Sequence, residues 1–212
     1  QLAVAVISER IKSLESISQE GISSAIAYAN AAVFERGLEH RDLSGMGTTL
    51  VGLCFTGEGM FVLNVGDSRA YRIRNGTIQQ LTEDHTLVNE LLRSGAITEA
   101  QVDNHPVSHM LTRSLGPTSL VEVDCRFEEA GAQGGDLYLL CTDGLYNMVS
   151  REEIRQLAVQ YQPREAVDRM IALANQRGGT DNITLILIQT GPSSEVQPEI
   201  KAGGGNGKGE ET

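Results

Sequence analysis

Apolar residues recur at positions 2, 4, 6, 7, 11 and 14, and again at Ile22, Ala25, Ile26, Ala29, Ala32 and Val33. Both sets follow the spacing of a helical stripe. The chain is therefore predicted to open with helices over 2–16 and 18–38, with Gly37 near the stop of the second. The pattern then changes. Residues 48–56 (TTLVGLCFT) and 60–65 (MFVLNV) are short, apolar and β-branched, and Gly57-Glu58-Gly59 between them reads as a hairpin turn. Residues 69–74 (RAYRIR) alternate like a half-exposed strand, and Asn75-Gly76 signals a tight type I′ turn. Residues 77–82 (TIQQLT) return as its partner. These four segments are predicted to form an antiparallel meander.

Residues 85–115 are helical but irregular, with a break at His105-Pro106. Strands are predicted at 121–128 and 136–142, joined by a Gly-rich turn, and helices at 151–160 and 163–177. Ser150 and Glu153 have the spacing of a capping box, and Pro163 suits a first helical turn. Residues 183–190 (ITLILIQT) are almost continuously apolar and read as a central strand. Residues 192–212 are polar, charged and Gly-rich, and are expected to form a disordered tail. Helices, a run of strands, helices and a last strand point to an α+β fold, with two antiparallel sheets covered by helices on their outer faces.

The 212 residues suit one domain, here 1–191. With no Trp and only 4% aromatic residues, the core must be built from aliphatic side chains and Ala. The formal net charge of −11 argues against nucleic acid and anionic lipid as partners. A phosphate-handling site in such a chain needs cations, and metal ions are the obvious source. Cys54, Cys125 and Cys141 are odd in number and scattered, as expected of reduced thiols in the cytoplasm. No run approaches the apolar length of a membrane span, and no basic segment precedes a hydrophobic one as in a signal peptide. The chain opens at Gln1 without an initiator Met, as a fragment or trimmed product would.

Candidate chemistry rests on acids. Asp143, in Leu139-Leu140-Cys141-Thr142-Asp143-Gly144, lies where an apolar strand ends. Asp181, in Gly178-Gly179-Thr180-Asp181-Asn182-Ile183, lies just before the last strand. Adjacent antiparallel strands would bring the two carboxylates together, and a cation between them would relieve their repulsion. Oxygen-only ligands suit Mg²⁺ or Mn²⁺. On spacing alone, turn chemistry is the commoner reason for Asp-Gly and Asp-Asn. Asp84, in Leu81-Thr82-Glu83-Asp84-His85, reads on local pattern as a helix N-cap. Asp67, at a break in the meander, reads as a structural acceptor of backbone or Arg hydrogen bonds. The four His are dispersed, and neither a nucleophile elbow nor a Cys–His pair is evident.

Six segments taken together resemble a family. Ser44-Gly45-Met46-Gly47-Thr48-Thr49-Leu50, Val65-Gly66-Asp67-Ser68-Arg69-Ala70-Tyr71, Leu81-Thr82-Glu83-Asp84-His85, Leu111-Thr112-Arg113-Ser114-Leu115-Gly116, Cys141-Thr142-Asp143-Gly144-Leu145 and Gly179-Thr180-Asp181-Asn182-Ile183-Thr184 follow the order of bacterial protein phosphatases of the 2C (PPM) type. Each is weak alone; the ordered set, over roughly residues 1–190, is specific. The resemblance implies a four-layer αββα sandwich and hydrolysis of phosphoserine and phosphothreonine in proteins, with kinase substrates as partners. It implies two Mn²⁺ or Mg²⁺ ions, with Asp143 and Asp181 on one of them. It also implies a third, weaker ion at Asp84 and Asp143, Asn182 and Gly144 beside the ligands, and a mobile flap over about 86–112. A monomer is expected.

The resemblance has a gap. The family's opening strands, with a phosphate-holding Arg, the first metal acids and an Asp-Gly-Met-Gly-Gly segment, have no counterpart here; Gly45-Met46-Gly47 follows Ser44 and belongs to the later Met-Gly-Thr-Thr motif. The expectation is a chain shortened at its start, with an open apolar sheet edge, weak binding of the paired metals and slow or absent turnover. A phosphoprotein-binding module and a partner-switching (anti-sigma pathway) phosphatase of the same fold are the alternatives.

Overall fold

The computed structural model describes residues 1–102 and 105–191. The expected tail and the Asp103-Asn104 part of the flap lie outside them. Two long runs of helical spacing give α1 (Leu2–Lys12) and α2 (Gln19–Glu39), the latter capped by the Ser18 side chain, which accepts from the Gly21 N–H. Seven strands follow among the described residues: β1 (Leu50–Phe55), β2 (Met60–Val65), β3 (Arg69–Arg74), β4 (Thr77–Gln80), β5 (Asp124–Glu128), β6 (Leu137–Cys141) and β7 (Leu185–Gln189). The remaining helices are α3 (Leu87–Arg93), α4 (Asp143–Tyr146), α5 (Arg151–Gln160) and α6 (Pro163–Gln176). The Ser150–Glu153 capping box forms at the start of α5, and Pro163 opens α6.

The strands form two antiparallel sheets, ordered β1-β2-β5 and β4-β3-β6-β7. Period-two alternation assigns each strand face to one layer. Phe61, Leu63 and Val65 of β2 pack against Ile22, Ile26, Ala29 and Val33 of α2. Met60 and Val62 point the other way, into the space between the sheets, with Ala70, Leu81 and Tyr138. Tyr71, Ile73, Leu137 and Leu139 face Ile154, Ala158, Met170 and Ala174 of α5 and α6. The result is the expected four-layer αββα sandwich. Each fully buried aliphatic side chain in these layers contributes roughly 1.5–3 kcal/mol.

Two expectations are corrected. The first four strands are not one meander: β1 pairs with β2 and β3 with β4, but β2 and β3 lie in different sheets. Gly66-Asp67-Ser68 carries the chain across. Gly66 has φ 110°, and a Cβ there would stand 2.4 Å from Thr49 Cγ2, so only glycine permits the turn. The Asn75-Gly76 turn does close β3 on β4, with φ 50° and 73° as type I′ requires. The last strand is at an edge, not central. Its apolar run reflects two covered faces: Leu185 and Leu187 pack toward α5 and α6, and Ile188 toward the other sheet. Ile186 remains 55% exposed, and Phe55 on the β1 edge is 41% exposed, so apolar surface lies open at both sheet edges.

Candidate metal centre

Antiparallel pairing of β6 with β7 sets Cys141 opposite Leu185, so the exit of one strand lies beside the entry of the other. Side-chain and backbone bonds extend that ladder. The Thr142 N–H donates to the Thr184 carbonyl (3.0 Å), the Thr184 N–H donates to Thr142 Oγ1 (3.1 Å), and Thr142 Oγ1 donates to the Asn182 carbonyl (3.2 Å). Gly144 is packed against this junction: a Cβ there would lie 2.5 Å from the Asn182 carbonyl oxygen and 3.4 Å from the Asp181 carbonyl carbon. The backbones carrying Asp143 and Asp181 therefore meet at one mouth of the sandwich. Asp143 is the first residue of α4, a short helix the sequence pattern does not reveal. One oxygen of each acid is held by the next residue, Asp143 Oδ1 by the Gly144 N–H (2.9 Å) and Asp181 Oδ1 by the Asn182 N–H (2.6 Å). The second oxygen of each has no hydrogen bond among the described residues.

Asp84 is not the N-cap of α3; Thr86 is, accepting from the Asn89 N–H. The Asp84 carboxylate is instead gripped by Arg69, whose Nε reaches both oxygens at 3.0 Å and whose terminal nitrogen reaches Oδ2 at 2.6 Å. Gln80 adds a fourth bond at 3.1 Å. Burial opposes the Arg69 charge, but Asp84 outweighs it and holds the guanidinium protonated. The same guanidinium lies 3.5 Å over the Tyr146 ring of α4, and the Tyr146 hydroxyl donates to the Asp67 carbonyl. Arg69 and Gln80 thus engage both oxygens of the Asp84 carboxylate.

Asp67, expected from sequence as a structural acceptor, stands among these charged groups. Its carboxyl is half-buried, and burial pushes it above the ordinary carboxylate range; Asp143 and Asp84 push it further the same way, while Arg69 opposes. Three acids thus crowd one region. Sequence reasoning missed Arg69 and Tyr146 as neighbours of the acids. Arg69 begins a strand that the meander reading placed in the wrong sheet, and nothing local marks Tyr146.

Asp67, Arg69, Asp84, His109, Tyr146 and Thr180 line an open cleft of about 710 Å³, whose walls do not include Asp143 or Asp181. Residues 85–87 and 110–112, the two ends of the expected flap, meet at one point. The Leu87 N–H donates to the Met110 carbonyl (2.8 Å), the Thr112 N–H donates to the His85 carbonyl (2.9 Å), and Thr86 bridges Leu111. His85 anchors this base. Its buried ring accepts the Gly66 N–H at Nδ1 (3.1 Å), which leaves Nε2 to donate to Asp124 (3.1 Å), itself held by Arg113 (2.9 Å).

Among the described residues, no group of three or more His, Cys, Asp or Glu is placed to hold a metal ion. Two acids whose backbones meet at one mouth, and whose only donors are carboxylate oxygens, nevertheless suit Mg²⁺ or Mn²⁺ by donor type. Mg²⁺ in particular commonly keeps several waters and takes one or two protein carboxylates with substrate phosphate oxygens.

The protein phosphatase 2C family profile matches residues 1–187. The chain belongs to the protein phosphatase 2C family. It is 45% identical over 149 residues to a Listeria welshimeri serine/threonine phosphatase (stp), a match covering 70% of this chain and 58% of that protein. The chain thus spans less than two thirds of that relative's length. Its fold superposes on the crystal structure of the Mycobacterium tuberculosis serine/threonine phosphatase PstP with a TM-score of 0.82 at 33% identity, covering 90% of this chain and 80% of that one. A second structure, the PstP catalytic domain with two manganese ions, superposes with a TM-score of 0.75 at 31% identity, covering 88% and 78%.

Proposed function

We propose that this chain serves hydrolysis of phosphoserine and phosphothreonine side chains in proteins, with divalent cations at the β6–β7 mouth. The observation that carries this reading is the junction itself, where Gly144 packs on Asn182 and brings the Asp143 and Asp181 backbones together. Family membership and the manganese-bearing PstP neighbour support the choice of Mn²⁺ or Mg²⁺. Asp143 and Asp181 would hold one ion of a pair, and Asp143 with Asp84 would hold a third. When bound, such ions activate water and offset phosphoryl charge.

The chain's own residues do the rest. Gly144 and Asn182 fix the spacing of the two acids. The Arg69–Tyr146 stack ties α4, and so Asp143, to the β3 strand. From the flap, Thr86, Val88, Asn89, Val102, Ser108 and His109 wall one side of the cleft, where a phosphorylated segment of another protein would lie. Among the described residues no helix is long and apolar enough to cross a membrane. The free cysteines fit a reducing compartment, the cytoplasm, and the reading takes the chain as a monomer.

Release of p-nitrophenolate from p-nitrophenyl phosphate tests the activity. Slow, manganese-dependent turnover that Asp143→Asn abolishes is expected. Turnover no greater than that of the Asp143→Asn protein at saturating manganese contradicts the proposal.

A further inference from the structure

Beside the cleft lies a second hollow, an open slot of about 390 Å³ at the β5 edge of its sheet. Thr82 and Glu83 line both the slot and the cleft, so the segment leading to Asp84 is a wall shared between them. Val62, Leu81 and Val123 give the slot apolar walls, and Asn64, Glu83 and Asp124 add oxygen atoms.

Asn64 is the unusual member of this lining. The residue is only 2% exposed. Its Nδ2 donates to the Glu83 carbonyl (2.6 Å) and to the Gly66 carbonyl (3.1 Å), and these two bonds fix which end of the amide is oxygen. Its Oδ1 then accepts from no group among the described residues. A buried acceptor left unpaired is costly, and a donor entering the slot would relieve that cost. The other buried side-chain atom left without a hydrogen bond among the described residues, Arg72 Nη1, has the Glu128 carboxylate at 3.9 Å.

Charge selects the kind of donor. Two of the three charged residues in the lining are acids, and the third, Arg126, is spent on the Leu81 carbonyl (2.9 Å) and on Glu128 (3.1 Å). The two acids are themselves paired, Asp124 with Arg113 and Glu83 with Arg93. The unpaired oxygen of Asn64 is therefore the point of attachment, and the net charge of −11 supplies the wider attraction for a cation. Apolar walls beside a buried acceptor suit a side chain with a methylene stem and a charged N–H head.

We propose that the slot is a specificity subsite that takes a lysine or arginine side chain of the phosphoprotein, a few residues from the phosphorylated one. The shared wall at Thr82 and Glu83 lets one extended segment occupy cleft and slot together. This rests on the phosphatase reading above.

The test walks one lysine through the positions flanking phosphoserine in a peptide and compares each with its norleucine counterpart, which keeps the stem and lacks the charged head. At about 0.15 M salt, where long-range attraction is screened, one register should show kcat/KM about tenfold higher with lysine, chiefly through KM. Val123→Phe, which fills the slot and removes no polar bond, should bring the two peptides to within about twofold. Lysine with no advantage in any register, or an advantage that survives Val123→Phe, overturns the proposal. A second arm needs neither turnover nor a variant. n-Butylammonium, a lysine side chain without its backbone, is titrated into the chain while the Asn64 side-chain amide signals are followed in a ¹H–¹⁵N spectrum. Saturable movement is expected; signals that stay put, or that move as far with uncharged n-butanol, overturn the proposal. If no phosphopeptide is hydrolysed, the phosphatase reading fails and this second arm decides the slot alone.

Discussion

Gly144 shows how one missing methyl group can define a site. Its neighbours across the β6–β7 mouth are backbone atoms of Asn182, which cannot swing aside as a long side chain would. Replacing it with Ala, Gly144→Ala, should force the two strand ends apart and destabilise the fold by roughly 1–3 kcal/mol, the usual range for overpacking. A thermal melt would show the lower midpoint, and an unchanged midpoint would refute the close approach. Asp143 and Asp181 were legible as candidates because each adjoins an apolar strand. Asn182 owes its place to its carbonyl, which the sequence cannot display. Asp84 was harder. Its local pattern reads as a cap, and only the tertiary partner, Arg69, shows what its carboxylate does.

At the scale of elements, most strands and helices could be read from period and turn chemistry, because each buries a face that its own alternation specifies. The Asn75-Gly76 turn and the Ser150 capping box are local and so were visible. The crossing between sheets at Gly66 was not, because apolar alternation gives a strand's faces but not its neighbour. The same limit explains β7, whose apolar run records coverage on two faces while one edge stays open. A further long-range tie was equally hidden. Arg74, at the end of β3, bonds both oxygens of Asp136 (2.8 and 2.6 Å) and the Gly131 carbonyl, clamping the β5–β6 connection to β3. Burial pushes the Asp136 carboxyl up, but Arg74, the Gln133 N–H and the Tyr138 hydroxyl outweigh it and leave it below the ordinary value of 3.8. Such a depressed group stabilises the fold above pH about 4 and loses that contribution as pH falls through its folded-state value. Arg74→Met should cost about 3–5 kcal/mol by leaving Asp136 buried and unpaired. In urea titrations at pH 7 that loss should be plain and should shrink as Asp136 protonates. An equal deficit at pH 7 and pH 3 would contradict the linkage.

For the whole molecule, the layers serve to hold one mouth open. The α5–α6 layer supports β6 and β7 from outside, the second sheet supports them from inside, and α4 turns back from β6 over the cleft. The acidic balance of the chain, −11, would repel a phosphorylated substrate without cations at that mouth. The proposed function therefore depends on Asp143 and Asp181 sharing a divalent ion. Titrating Mn²⁺ into the chain, Asp143→Asn and Asp181→Asn, with the free-ion electron paramagnetic resonance signal as readout, tests this directly. The account predicts weak, saturable binding that either substitution removes. No saturable binding by the unsubstituted chain, or binding undiminished in both variants, would contradict it.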